Sequence, residues 1–278
     1  MVRAPSGIFP AVFDSRNERL KLYGPTRVED LTYASELINR TRDRGASKLI
    51  VYAVPGGHDG WRDLGFVFEG TIEGYFPDHV DAKIWSRFSG GERAVERDVE
   101  EHEETIRIAT ACAATSATLD EAFISDVAGP EDADEIASLM SRIFPDYPEP
   151  ISSQWVVRSI GEETRRFRIS RDGSGRIVAS ASAEIDHRNR SAELTDCATD
   201  PDARGRGLMR YLLQELEGDV SRLWGITDLY TLARADEVAM NCAFAKLGYH
   251  YTGRLVNNCR MPNGWESMNI WCRRGEPR

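Results

Sequence analysis

Glu193 lies on an alternating apolar stretch, ahead of the pair Cys197-Ala198, and the loop Arg204-Gly205-Arg206-Gly207 follows after a Pro-containing turn. Each part has a chemistry. A partly buried carboxylate has a raised pKa, suited to accepting a proton near neutrality. Glycines let a backbone come close to a ligand, and at a helix N-terminus the free N–H groups and the positive dipole end hold an anion. Leu208, Tyr211, Leu212, Glu215 and Leu216 continue at helical spacing, so the loop reads as a phosphate cradle at a helix start.

The elements that must position these residues follow a regular order. Residues 123–127 predict a strand, 132–144 a helix ended by Pro145 and Pro148, and 154–160 a second helix. Asp172-Gly173-Ser174-Gly175 is a hairpin signal between strands at 167–170 and 177–185, and residues 186–189 turn the chain again before the Glu193 strand. Beyond the loop's helix come a strand at 229–233, a helix at 237–247 stopped by Gly248, and a last strand pair ending at 268–272. Upstream, Leu31, Ala34, Leu37 and Ile38 predict a helix over 30–44, and 48–54 a strand. After the Gly90-Gly91 break, Val95, Val99, His102, Ile106 and Ala109 recur at helical intervals, which predicts one amphipathic connecting helix over 92–112. His102 there is read as a helix-face histidine rather than a ligand.

The first block also echoes the last. Leu64-Gly65-Phe66-Val67-Phe68-Glu69-Gly70 parallels Leu247-Gly248-Tyr249-His250-Tyr251-Thr252-Gly253, and Ile84-Trp85 parallels Ile270-Trp271. Lys48-Leu49-Ile50-Val51-Tyr52-Ala53 likewise parallels Asp228-Leu229-Tyr230-Thr231-Leu232-Ala233. The expected organisation is an N-terminal block over 1–90, a connector over 91–118 and a catalytic domain over 119–278.

Over about residues 120–274 the chain resembles the GCN5-related N-acetyltransferase (GNAT) superfamily, whose loop reads Arg/Gln-x-x-Gly-x-Gly/Ala. Arg204 opens the pattern, Gly207 is its central glycine, and Met209 stands where Gly or Ala is usual, though its backbone N–H survives. Ala192-Glu193 followed by Cys197-Ala198 is similar to the fourth strand of histone-type members. The resemblance implies an α/β GNAT fold, a mixed and mostly antiparallel sheet flanked by helices, preceded by a half-GNAT-like N-terminal domain. It implies acetyl-CoA as co-substrate, met by Cys197, Ala198, Thr199, Arg204, Gly205, Arg206, Gly207, Leu208, Met209, Asn241 and Phe244. It makes Glu193 the general base of a direct transfer, against the plainer reading of a cross-strand ion-pair partner. Cys197 is then a small packing residue, with an acetylated nucleophile as the rival idea. Asn241 could equally be a helix-start cap. Phe244 falls where members commonly carry a proton-donating Tyr, leaving Tyr211, Tyr230, Tyr249 or unassisted thiolate departure.

Five strings sharpen the resemblance: Thr-Asp-Cys-Ala-Thr (195–199), Arg-Gly-x-Gly-Leu-Met (204–209), Phe-Ala-Lys-Leu-Gly-Tyr (244–249), Asn-Asn-Cys (257–259) and Met-Asn-Ile-Trp (268–271). They are similar to the β-lysine N-acetyltransferases, which implies acetylation of the ε-amine of β-lysine to Nε-acetyl-β-lysine, a compatible solute of osmoadaptation. Candidate acceptor contacts are Asp196, Glu184, Tyr75, Asn257 and Asn258. Strand alternation sets Asp196 on the face opposite Glu193 unless a bulge intervenes. Two other readings stay open: transfer to another diamine such as lysine or a polyamine, and a non-catalytic acyl-CoA-binding module.

Composition narrows the partners. With 278 residues, 35 Lys plus Arg against 45 Asp plus Glu, and a formal charge of -10, the chain is a poor nucleic-acid binder by bulk electrostatics. No apolar run reaches the ~18 residues of a membrane span. The five cysteines are widely spaced with no Cys-x-x-Cys, which favours neither a disulfide framework nor a metal. The expectation is a cytoplasmic monomer or homodimer acting on a small cationic amine, without metal, nucleic acid or membrane.

Overall fold

The computed structural model describes residues 2–4, 7–24, 45–56, 58–145, 147, 151–262 and 264–275. The helix expected over 30–44 lies outside the described residues. β1 (Val2–Ala4) and β2 (Gly7–Phe9) form a small separate pair. The other strands make one 12-stranded sheet. In chain order they are β3 (Ala11–Asp14), β4 (Arg19–Tyr23), β5 (Lys48–Ala53), β6 (Val67–Phe76), β7 (Val80–Phe88) and β8 (Ile124–Val127). There follow β9 (Arg165–Arg171), β10 (Ile177–Asp186), β11 (Ser191–Thr199), β12 (Leu229–Arg234), β13 (His250–Met261) and β14 (Gly264–Arg273). Their spatial order is β3-β4-β5-β7-β6-β13-β14-β12-β11-β10-β9-β8. Among the described residues only β4/β5 and β11/β12 pair parallel, so the sheet is mixed and mostly antiparallel.

The runs that echo one another in sequence also pair alike. β4 and β5 run parallel and β7 and β6 follow; β11 and β12 run parallel and β14 and β13 follow. Val51 faces Trp85 as Thr231 faces Trp271, and Tyr52 faces Ile84 as Leu232 faces Ile270. Each copy carries a bulge at the same place, between Phe68 and Gly70 and between Tyr251 and Gly253. The copies meet where Gly70 pairs Gly253, a pseudo-two-fold relation at the centre of the sheet. Both glycines have positive φ, and a Cβ on Gly70 would stand 2.7 Å from the Gly253 Cα. Beside this crossing, Lys48 donates to Glu69 and to the Val256 carbonyl, and Glu69 accepts the Val256 N–H.

Seven helices among the described residues carry the rest: α1 (His58–Asp63), α2 (Gly91–Ala94), α3 (Val99–Thr110), α4 (Ala133–Ile143), α5 (Ser153–Gly161), α6 (Leu208–Trp224) and α7 (Val238–Lys246). α6 buries Leu208, Leu212, Leu213, Leu216 and Val220 against β10 and β11, an i, i+4 stripe that fixes its face to the sheet. Across the sheet, α4 and α5 cover Ile169 and Phe167.

The single connecting helix expected over 92–112 is instead two, α2 and α3, with Asp98 left-handed between them. Tertiary bonds outcompete the continuous ladder. The Asn257 amide donates to the carbonyls of Arg93 and Val95, each at 2.9 Å, and buried Arg93 lies 3.7 Å over the Trp265 ring. His102 is buried in α3 with Nδ1 2.9 Å from Glu96.

Candidate active site

β11 places Glu193 at the centre of a three-strand row. It faces Glu184 on β10 and Tyr230 on β12 in register. Burial, and then the Glu184 carboxylate, raise the Glu193 carboxyl to about 7, against the pull of Lys21 and Arg165. A bulge follows. Between Thr195 and Ala198 the pairing with β10 shifts, and Asp196 has a φ of 52°. The alternation that would have set Asp196 simply opposite Glu193 is therefore broken. Asp196 is buried and accepts from Ser182 (2.6 Å), Arg165 (2.9 Å) and Tyr147 (3.2 Å). Arg165 also reaches Glu184 at 2.7 Å and lies over the Trp155 ring, tying β9 across β10 to β11.

The same strand runs into the glycine loop. Gly205 and Gly207 are both left-handed at φ 76°, and a Cβ on either would meet nothing within 4 Å. Open space therefore stands over the loop. α6 starts directly after Gly207 with no side chain capping its first N–H groups. Uncapped donors at the start of a long helix, under open space, fit a pyrophosphate. Arg206 is tied to Asp120 at 2.7 Å, exposed Arg204 reaches the Thr199 carbonyl at 3.4 Å, Leu208 is buried and Met209 packs at the edge of the core.

Residues 133–249 match the family described as "Acetyltransferase (GNAT) family". A β-lysine N(6)-acetyltransferase of Methanosarcina mazei is 34% identical over 273 residues, covering 89% of this chain and 97% of the relative. One of Methanococcus maripaludis is 31% identical over 214 residues, covering 76% of this chain and 77% of the relative. The chain belongs to the GNAT acetyltransferase family. A spermidine N-acetyltransferase of Vibrio cholerae, a mutant form, superposes with TM-score 0.49 at 16% identity, covering 56% of this chain and 95% of that one. Family membership gives the chain a GNAT fold, here with an additional N-terminal region, and makes acetyl-CoA the co-substrate. No helix among the described residues is long and apolar enough to cross a membrane, and no group of three His, Cys, Asp or Glu among them could hold a metal.

The remaining candidates of this acetyltransferase fall in three places. Cys197 and Thr199 are half-buried along β11 and Ala198 is buried; burial holds the Cys197 thiol well above its usual value, which leaves little thiolate for nucleophilic work. Asn241 is fully buried, with both donors and its oxygen already used: its amide donates to the carbonyls of Arg234 and Glu237, and its oxygen accepts from Asn269 and Trp271. Phe244 is a core residue, edge-on to Tyr249. Asn257 holds the α2–α3 break, whereas the carbonyl of Asn258 accepts from Arg19 and its side-chain oxygen is buried without a partner among the described residues. Of the three tyrosines that could stand in for the missing acid, Tyr230 is the one beside Glu193.

Tyr75 belongs to a group the sequence did not single out. Its ring centroid lies 5.9 Å from Tyr230, 5.3 Å from Tyr52 and 6.4 Å from Tyr23, and Tyr23 and Tyr52 lie 4.6 Å apart. These rings bring β4, β5 and β6 against the strand that pairs with β11. Extending the internal echo one strand upstream, to Arg19-Leu20-Lys21-Leu22-Tyr23, was the signal that could have found them.

Proposed function

We propose that this acetyltransferase transfers acetyl from acetyl-CoA to the ε-amine of β-lysine, giving Nε-acetyl-β-lysine, and that the product serves as a compatible solute in the cytoplasm. The observation that carries the reading is the similarity, over 89% and 76% of this chain, to proteins named for that substrate, joined to a paired carboxylate row, Glu184 and Glu193, suited to an ammonium group. Acetyl-CoA supplies the acetyl group, its pyrophosphate held by the backbone of residues 204–209. Glu193 takes the proton that the amine loses as its nitrogen bonds to the carbonyl carbon. Backbone N–H groups at the β11 bulge polarise the carbonyl oxygen. The carbon–sulfur bond breaks, and the thiolate leaves unassisted or with the proton of Tyr230. In this scheme residues 119–278 are the catalytic domain, 91–118 the connector, and 1–90 the wall of the acceptor pocket.

A second reading, acetylation of another diamine, is favoured by one feature. Glu184 is half exposed, so its carboxylate is open to ammonium groups of various spacing. Thiol release from acetyl-CoA, measured with β-lysine, α-lysine, spermidine and putrescine side by side, separates the two. Turnover led by β-lysine, with acetyl on the ε-nitrogen by mass fragmentation, is expected. Equal or better turnover of spermidine or putrescine would replace β-lysine by the second reading. Glu193→Gln should lower kcat about 10²- to 10³-fold with acetyl-CoA affinity unchanged; full retained turnover would remove Glu193 from the scheme.

A further inference from the structure

The two copies in the fold assign a partner to the base. Glu193 pairs Tyr230, and Lys21 pairs Ile50. Ile50 and Tyr230 are equivalent positions of the echoed strands, as the matching Val51–Trp85 and Thr231–Trp271 pairs fix. Lys21 therefore occupies in the first copy the place that Glu193 holds in the second. On β4 the apolar residues Leu20 and Leu22 go into the core behind the strand, while Lys21 shares the other face with Tyr23, whose ring opens the aromatic chain to Tyr230. Lys21 is half-buried and makes no ion pair or hydrogen bond among the described residues. Burial, and then Arg19, hold its pKa below the ordinary lysine value, while Glu193 and Glu184 both pull the other way and favour its ammonium form.

We infer that Lys21 is the specificity residue of the acceptor site, its ammonium receiving the carboxylate of an amino-acid acceptor whose distal amine sits at Glu193. This rests on the amino-acid reading given above. A free cation in a pocket for amines repels a polyamine and attracts a molecule that carries an acid group as well, so one side chain both selects and rejects. The neighbouring cations are already bound, Arg19 to Asp14 and the Asn258 carbonyl and Arg165 to Asp196 and Glu184, which leaves the task to Lys21.

The test compares acceptors that differ by the carboxylate alone: β-lysine against 1,4-diaminopentane, and α-lysine against cadaverine. Lys21→Met should raise the KM for β-lysine about 10- to 100-fold with kcat within about threefold, and leave the KM for 1,4-diaminopentane unchanged or lower. Lys21→Arg should recover part of the loss. Unchanged acetyl-CoA affinity and melting temperature exclude misfolding as the cause. Equal changes in KM for both members of a pair would overturn the inference while leaving β-lysine as substrate. Should the unaltered protein favour α-lysine over β-lysine but still favour acid over diamine, the substrate reading falls and Lys21 stands or falls by the α-lysine pair. Preference of the unaltered protein for the diamine in both pairs would overturn the two together.

Discussion

Glu193 and Glu184 sit directly across from one another, and that pairing has a consequence in pH. With the Glu193 carboxyl raised to about 7, kcat/KM should rise with pH through about 7, since Glu193, as the proposed base, works only once ionised. Removing the like charge with Glu184→Gln should move that limb down by about half a unit to one unit; a limb that stays in place, or moves up, would detach Glu184 from the base. The stability sign is the reverse of an ordinary ion-paired carboxylate. A carboxyl with a raised folded pKa favours the native state below its unfolded value near 4.5, and that contribution fades as pH climbs through about 7. Glu193→Gln should accordingly gain in melting temperature, relative to the parent, at pH 8 more than at pH 5. At this scale the sequence was legible for placement: Glu193 lies on a strand, and Gly205 and Gly207 stand directly before a helix, as their pattern predicts. It was not legible where partners come from far along the chain. Nothing near Asp196 in sequence announces Arg165, and nothing near Asn241 announces that Asn269 and Trp271 consume its oxygen.

The strands and helices beyond residue 119 could be read almost element by element, because their hydrophobic periods and their Gly and Pro stops agree. α6 shows this best, bracketed by left-handed Gly207 and Gly225. The connector failed to read correctly because its period is helical throughout, while the Asn257 amide and the Trp265 ring hold the chain open at 95–98. No local propensity records such a bond. The crossing of β6 and β13 gives this scale its prediction. Gly70→Ala would push a methyl group against the Gly253 backbone and the Thr252 carbonyl, at a cost of about 1–3 kcal/mol in urea unfolding. Gly173→Ala, in open hairpin space, should stay within about 0.5 kcal/mol of the parent. Equal effects would mean that the two copies do not depend on this close approach.

Across the whole molecule, a shared apolar layer joins the copies: Ile50, Tyr52, Ile72 and Ile84 from the first lie with Leu255, Ile270 and Cys272 from the second, and Tyr230 and Met268 pack at its edge. A chain cut to residues 91–278 would leave half of that layer facing water. It should therefore aggregate, or, if kept in solution, bind acetyl-CoA while losing the KM preference for β-lysine that we propose for the whole chain, as sedimentation and steady-state kinetics would read. A well-behaved fragment with the parent KM would remove the N-terminal block from the proposed acceptor wall. The pseudo-two-fold arrangement also has a genetic consequence. Where two identical chains meet across an axis, every substitution is made twice, so a glutamate placed at the axis faces a second glutamate. Here the halves are written separately in one chain. Position 193 can carry a carboxylate while its counterpart at 21 carries an ammonium, which leaves opposite charges free to specialise on opposite ends of one small molecule.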